Sequence, residues 1–108
     1  MAADIFARVA QCTGFEWDQR NAPKLYARHG VTTGECEQVF FHEPPQIAPD
    51  APHSQTEERW AAWGRTAGGR TLAVVFTLPH DRIRPISARG MNRKERQRYA
   101  QADPQADS

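Results

Sequence analysis

The feature that most constrains the fold of this chain is residues 71–77, Thr-Leu-Ala-Val-Val-Phe-Thr, a nearly continuous apolar run. Runs of this kind are typical of a strand that is covered on both faces. The Ala-Gly-Gly-Arg sequence at 67–70 favours a hairpin turn, and Leu-Pro-His-Asp at 78–81 favours a second turn. Residues 58–66 and 82–89 are predicted to be the neighbouring strands. We therefore predict a three-stranded antiparallel meander with 71–77 at its centre.

The first of these strands divides its side chains between two faces. Successive side chains of a strand point to opposite sides of the sheet, so Trp60 and Ala62 share one face. The other face carries Arg59, Ala61, Trp63 and Arg65. We predict that this second face is the one left for function.

Helices and short strands are predicted on both sides of the meander from apolar spacing and capping residues. Helices are expected at residues 4–12, from Asn21 or Ala22 to Gly30, from Thr32 to before Pro44, and after Asn92, with short strands at 15–18 and 46–48.

Two of the predicted helices begin with the spacing of a capping box, in which an N-cap side chain and a glutamate bond each other's backbone N–H groups. These pairs are Thr32 with Glu35 and Asn92 with Glu95. The last helix has few apolar residues besides Met91 and Tyr99, so we expect it to dock weakly.

This order of elements is typical of an α+β domain. We predict an antiparallel twisted sheet, formed by the meander plus one or two short strands, with helices packed on one face. A chain of 108 residues suits a single domain, which we assign to residues 1–102. Residues 103–108 are polar and include a proline, so we predict a disordered tail.

Charge is concentrated near the C-terminus. Residues 82–98 hold half of the 14 basic residues and only one of the 13 acidic ones, so they carry +6 in a chain whose net charge is +1. Such a patch is typical of a site for a polyanion, because neutralising phosphates releases their counterions. The alternative is a solvated helix face.

The two cysteines, Cys12 and Cys36, lack the spacing of metal ligands. We interpret them as free thiols in a reducing compartment, which predicts a cytoplasmic protein. No apolar run approaches the roughly 18 residues that a membrane span needs, and we expect no membrane association. We also expect no metal and no cofactor.

A series of short segments, in this order, covers roughly residues 15–99 and resembles the BrnT toxin family, whose fold is RelE-like. The segments are Phe15-Glu16-Trp17-Asp18, Arg28-His29-Gly30-Val31, Val39-Phe40-Phe41, Glu57-Glu58-Arg59, Gly64-Arg65-Thr66, the 72–77 strand, Asp81-Arg82-Ile83-Arg84, Ile86-Ser87-Ala88-Arg89 and Arg93-Lys94-Glu95-Arg96 with Tyr99. The combination of Phe-Glu-Trp-Asp with Ile-Ser-Ala-Arg is its most specific part.

The resemblance implies the toxin of a type II toxin–antitoxin system, a metal-independent endoribonuclease that cleaves RNA and inhibits translation. It implies a cognate antitoxin with a ribbon-helix-helix DNA-binding part, similar to BrnA, that neutralises the toxin. Operator DNA would then be a partner only indirectly, through the antitoxin.

The sequence departs from the family pattern at several positions. Asn21 and Arg28 stand where the family usually has lysine, Leu25 where it has asparagine, and Pro85 where it has an aliphatic residue, and residues 1–14 are extra. The changes at Asn21 and Leu25 alter the chemistry of the side chain. An alternative is therefore a catalytically impaired homologue that acts as an antitoxin-binding, transcriptional co-repressor module. A simple RNA-binding domain is a third possibility.

Four residues are the main candidates for catalysis, and a fifth, His53, is a second choice. Histidine suits proton transfer near neutral pH, and His29 lies in a turn that matches the family, although a histidine at a helix C-terminus can also act as a local cap. His53 is the second histidine candidate. Arg59, Arg65 and Arg89 are candidates to clamp a phosphate with the planar guanidinium fork, or else to form structural ion pairs.

Six further residues are candidates for RNA binding. Trp63 can stack a base, as aromatic residues do on single-stranded RNA, or it can be a core residue. The basic candidates contribute charge attraction to RNA or to an acidic antitoxin segment. They are Arg28, Arg82, Arg84, Arg93 and Lys94.

Overall fold

The described residues, 2–50 and 57–102 of a computed structural model, form four helices and five strands, and the protein is α+β. Their order along the chain is the order predicted from the sequence. The elements are α1 (Ala2–Gln11), β1 (Gly14–Phe15), α2 (Asn21–His29), α3 (Thr33–Phe41), β2 (Gln46–Pro49), β3 (Trp60–Arg65), β4 (Thr71–Thr77), β5 (Arg82–Gly90) and α4 (Arg93–Ala102). The predicted tail at 103–108 and His53 lie outside the described residues. None of the described helices is long and apolar enough to cross a membrane.

The strands of the described chain form one mixed sheet in the spatial order β1-β5-β4-β3-β2. Neighbouring strands from β2 to β5 run antiparallel, whereas β1 runs parallel to β5, with Gly14 opposite Arg82 and Phe15 opposite Ile83. The prediction of an entirely antiparallel sheet is therefore wrong at this edge. The reason is connectivity, because β1 is followed by two helices and no hairpin turn fixes its direction.

One face of the sheet packs against α3 and forms the core, and we call the opposite face the outer face. Along β3, core residues alternate with half-buried residues of the outer face. The core residues are Trp60, Ala62 and Gly64, and the outer-face residues are Ala61, Trp63 and Arg65. Phe40 of α3 meets Phe76 of β4 edge to face, with ring centroids 5.1 Å apart, a favourable aromatic geometry.

The end of α2 is held by local and distant contacts. Gly30 has a φ of 64°, the left-handed conformation that glycine adopts without strain. The guanidinium of Arg70 donates to the carbonyls of Gly30 and His29 at 2.7 and 3.0 Å, and also to Glu35. Thr32 and Glu35 form the predicted capping box of α3. These bonds fix the position of His29 relative to the β3–β4 turn.

The first two helices also contribute to the core. Ile5 of α1 and Leu25 of α2 are 2% and 4% exposed, and both belong to the buried cluster around Val39. Leu25 is thus a packing residue. α2 lies beside β5 near Ile86 and Ser87, whereas β1 pairs with Arg82 and Ile83 of the same strand.

α4 lies on the outer face, so the expectation that the helices pack on one face is wrong for this helix. Glu95 accepts a hydrogen bond from Trp63, and the Tyr99 ring lies under Arg65. Docking is also firmer than expected, because Met91 and Tyr99 are 4% and 2% exposed. The outer face of β3 supplies polar and aromatic partners that apolar spacing does not reveal.

Candidate functional site

A bulge interrupts β5 next to Pro85. Val75 is opposite Ser87 and Phe76 is opposite Pro85, so Ile86 is an extra residue in β5. Proline has no N–H to donate to the neighbouring strand, and bulges are among the few places in sheets where it occurs.

The bulge decides which face the arginines of β5 occupy. Arg84 and Arg89 are five positions apart, so in a regular strand their side chains would point to opposite faces. The extra residue reverses the alternation, and Arg84, Arg89 and, by alternation, Arg82 share the outer face with Trp63 and Arg65.

A cavity of about 370 Å³ opens on the outer face of the sheet. Strand pairing places Trp63, Ala73 and Arg89 in one row across β3, β4 and β5, and the small Ala73 leaves space between its two larger neighbours. His29 from α2 and Glu95 from α4 also line this cavity. The remaining lining residues are Pro49, Asp50, Ala61, Val74, Val75, Ser87 and Ala88.

Arg89 is held by an ion pair with Glu95 but keeps part of its hydrogen-bonding capacity. Nη1 and Nη2 of Arg89 donate to the two carboxylate oxygens at 2.6 and 3.0 Å, and Nη1 also donates to the carbonyl of Gly90 at 3.1 Å. Guanidinium has five N–H donors. Within the described chain, the Nε–H group and one N–H of Nη2 make no hydrogen bond. These two parallel donors have the geometry that binds two oxygens of a phosphate.

Arg84 shares the outer face but is engaged differently. Its Nε and Nη2 both donate to Glu16, at 3.2 and 2.9 Å, and its Nη1 lies 3.8 Å from Glu57. The pair of donors that remains unused in Arg89 is therefore occupied in Arg84. Arg82 is exposed at the start of the strand.

His29 lies between the outer-face cavity and a smaller one of about 160 Å³. His29 and Ser87 line both, and Lys24 and Arg28 line the smaller one. The surface from Arg28 to Arg89 is thus continuous. The structure brings the candidates His29, Arg28, Trp63 and Arg89 together around it.

The other two arginine candidates for catalysis lie beside this surface. The guanidinium carbon of Arg65 is 5.8 Å from the centre of the Tyr99 ring, a cation–π distance. The backbone carbonyl of Arg59 accepts a hydrogen bond from Asp50, a cavity residue. Neither arginine is among the residues that line the cavity.

Arg93 and Lys94 are exposed in the first turn of α4, next to Glu95. They lie on the same helical turn as a cavity residue, and their exposed charges add to the positive potential there. Their placement suits attraction of an anion without direct contact in the cavity.

Sequence reasoning missed Glu95 as a site residue. The carboxylate was expected to cap α4, and it does accept a hydrogen bond from the backbone of Asn92 at 2.9 Å. The same carboxylate also binds Arg89 and Trp63, and the bonds from Arg89 are the largest cause that lowers the pKa of Glu95 to about 2. The capping box was the available signal, but it pointed to a local role.

Sequence comparison identifies the family. The family model described as "Ribonuclease toxin, BrnT, of type II toxin-antitoxin system" matches residues 17–95, well over half of the chain. The chain belongs to the BrnT toxin family. The matched range includes every residue that lines the outer-face cavity. A type II toxin of this family has an antitoxin as its partner.

Structural comparison finds the BrnT fold. The crystal structure of the Brucella abortus ribonuclease toxin BrnT matches with a TM-score of 0.58 and 20% sequence identity, covering 74% of this chain and 97% of that chain. At this identity the match shows a shared fold. No curated protein sequence matches the chain.

Proposed function

We propose that this BrnT-family protein is a metal-independent endoribonuclease of RelE-like fold, which cleaves RNA and so inhibits translation. The observation that carries the proposal is the outer-face cavity, where His29, Trp63 and Arg89 line one space. Belonging to a family described as ribonuclease toxins supports the same activity.

Metal-independent cleavage requires deprotonation of the 2′-hydroxyl, stabilisation of charge on the phosphorane, and protonation of the 5′-oxygen. We assign the charge stabilisation to Arg89, whose unused N–H groups can bind two phosphate oxygens. We assign proton transfer to His29, because histidine exchanges protons near neutral pH. Arg65 and Arg59, beside the cavity, add positive charge near the phosphorane.

RNA binding is assigned to the surface around the cavity. Trp63 uses its indole N–H to bind Glu95, which leaves a ring face for stacking on a base. The basic side chains attract the phosphate backbone, and Arg84 must exchange Glu16 for phosphate to take part. These basic residues are Arg28, Arg82, Arg84, Arg93 and Lys94.

The proposed partner is a cognate antitoxin with a ribbon-helix-helix DNA-binding part, similar to BrnA, which neutralises the toxin. Operator DNA is then reached only through the antitoxin. The exposed basic face of α4 suits an acidic antitoxin segment as well as RNA, so neutralisation by covering the cavity follows from the same charges.

The test is incubation of total RNA with the purified protein in EDTA. The wild type should degrade RNA, and Arg89→Ala should lose activity while keeping its circular dichroism spectrum. Arg8→Ala is the matched control, because Arg8 is exposed, lies 4.0 Å from Glu58 and lines a different cavity. Intact RNA with the wild type, or equal losses in both variants, would contradict the proposal.

The co-repressor module is the second candidate, and the ion pair that occupies Arg84 with Glu16 favours it. Expression in a host that lacks the antitoxin separates the two. Growth arrest supports the nuclease. Normal growth, together with tight binding when the purified protein is mixed with antitoxin, supports the module.

A further inference from the structure

The carboxylate of Glu95 is fully occupied by donors from the protein. Oε1 accepts from Nη1 of Arg89 at 2.6 Å and from the backbone of Asn92 at 2.9 Å. Oε2 accepts from Nη2 of Arg89 at 3.0 Å and from Nε1 of Trp63 at 2.8 Å. A carboxylate offers about four acceptor positions, so none is left for a substrate hydroxyl. Glu95 therefore does not have the geometry of a general base.

Glu95 joins two side chains that the sheet keeps apart. Trp63 and Arg89 stand on either side of Ala73, so their backbones are about 10 Å apart, two strand spacings. The Glu95 side chain, 11% exposed, spans the gap above Ala73. Its backbone lies in the first turn of α4, a helix that the buried Tyr99 docks against the outer face.

These contacts fix the guanidinium plane of Arg89. Glu95 takes the two N–H groups at the end of the fork, and the Gly90 carbonyl takes a third. The two donors that remain within the described chain, on Nε and Nη2, form one side of the fork. An arginine without these restraints would spread over many rotamers and would lose side-chain entropy on binding phosphate.

We propose that Glu95 is a positioning residue, which holds the Arg89 guanidinium and the Trp63 indole in the orientation that receives a phosphate and a base of RNA. This inference rests on the proposed function. Glu95 itself does not contact the RNA, so its removal should impair the orientation of two groups and not an acid–base step.

The first test needs no RNA and compares the wild type with Glu95→Gln and Asn92→Ala by ¹H–¹⁵N NMR. Asn92→Ala is the matched control, because it removes the side-chain cap of α4 and leaves the Arg89–Glu95 pair in place. The Nε–H signals of Arg89 and Trp63 should shift and broaden in Glu95→Gln only. Unchanged signals in Glu95→Gln would overturn the inference.

The second test is the rate of RNA cleavage by the same three proteins. Glu95→Gln should lower kcat by about 10- to 100-fold, as expected for misplaced reacting groups, with a smaller change in KM, and Asn92→Ala should keep the wild-type rate. Equal losses in both variants would show that Glu95 acts only as a helix cap. Faster cleavage by Glu95→Gln would show that Glu95 inhibits Arg89 by occupying it, and either result would overturn the positioning role. A wild type that cuts no RNA overturns the proposed function alone, because the NMR comparison still decides whether Glu95 holds the two side chains.

Discussion

A methyl group at position 64 should destabilise this protein, because β3 and α3 touch there. A Cβ atom on Gly64 would lie 2.9 Å from both Cγ1 and the carbonyl oxygen of Val39, whereas ordinary contact begins at 3.4 Å. Strand and helix would have to separate by about 0.5 Å. The carbonyl oxygen belongs to the backbone of α3 and cannot rotate away, so the strain falls on the packing of the core.

The expected loss of stability is about 1 kcal/mol. Overpacking of a core costs about 1–3 kcal/mol, and replacing glycine in a strand by alanine returns roughly 0.5–1 kcal/mol. For a domain of about 100 residues, each kcal/mol lowers the melting temperature by about 4–8 °C. Gly64→Ala should therefore melt about 5 °C below the wild type.

Gly90→Ala is the matched control for this experiment. Gly64 and Gly90 are both paired with Leu72, one on each side of β4, but a Cβ on Gly90 meets no atom within 4 Å. This variant should melt at or above the wild-type temperature when both are followed by circular dichroism. Equal melting temperatures for the two variants would refute the close approach of β3 and α3.

Acid should weaken the fold between about pH 4.5 and 2. The pKa of Glu95 is lowered from 4.5 to about 2, and the hydrogen bonds from Arg89 are the largest cause. The stabilisation that ionised Glu95 provides is present above pH 4.5 and is lost as the pH falls towards 2. The urea midpoint should therefore fall less steeply with decreasing pH in Glu95→Gln than in the wild type. Parallel curves for the two proteins would contradict this. Thr77→Val should raise the urea midpoint, since the Thr77 hydroxyl is buried and has no hydrogen-bond partner among the described residues, a state that costs about 1–3 kcal/mol. A lower midpoint for this variant would contradict the assignment.

The helix ends can be predicted from the sequence because capping is local. Gly30 ends α2 in the left-handed conformation, and Thr32 with Glu35 forms the capping box of α3. In each case the residues that interact are at most four positions apart. Their spacing alone carries the information.

The placement of β1 and α4 cannot be predicted in this way. β1 pairs with β5 through only two residues, Gly14 and Phe15, and the partner is nearly 70 positions away. α4 docks through Glu95 and Tyr99 on Trp63 and Arg65, contacts between polar or aromatic groups that leave no apolar period. Contacts between residues far apart in the sequence decide both placements.

The candidate site depends on register in the same way. Trp63 and Arg89 line the same cavity because both are paired with Ala73. The identity of a tryptophan or an arginine does not reveal which residue it will be paired with. Glu95 carries a capping signal that is real but incomplete, since its second role requires the sheet beneath α4. A residue can thus satisfy a local rule and a tertiary one, and only the local one is visible in the sequence.

The bulge in β5 has an energetic cause that connects the core to the site. Without the extra residue Ile86, Arg89 would point into the core and Ala88 would point outwards. In the structure Ala88 is 1% exposed and belongs to the core cluster, whereas the Arg89 side chain is 46% exposed. Burying an unpaired guanidinium costs on the order of several kcal/mol, so the core selects the bulged register. The convergence of Arg84 and Arg89 on the outer face then follows from the burial of a single alanine.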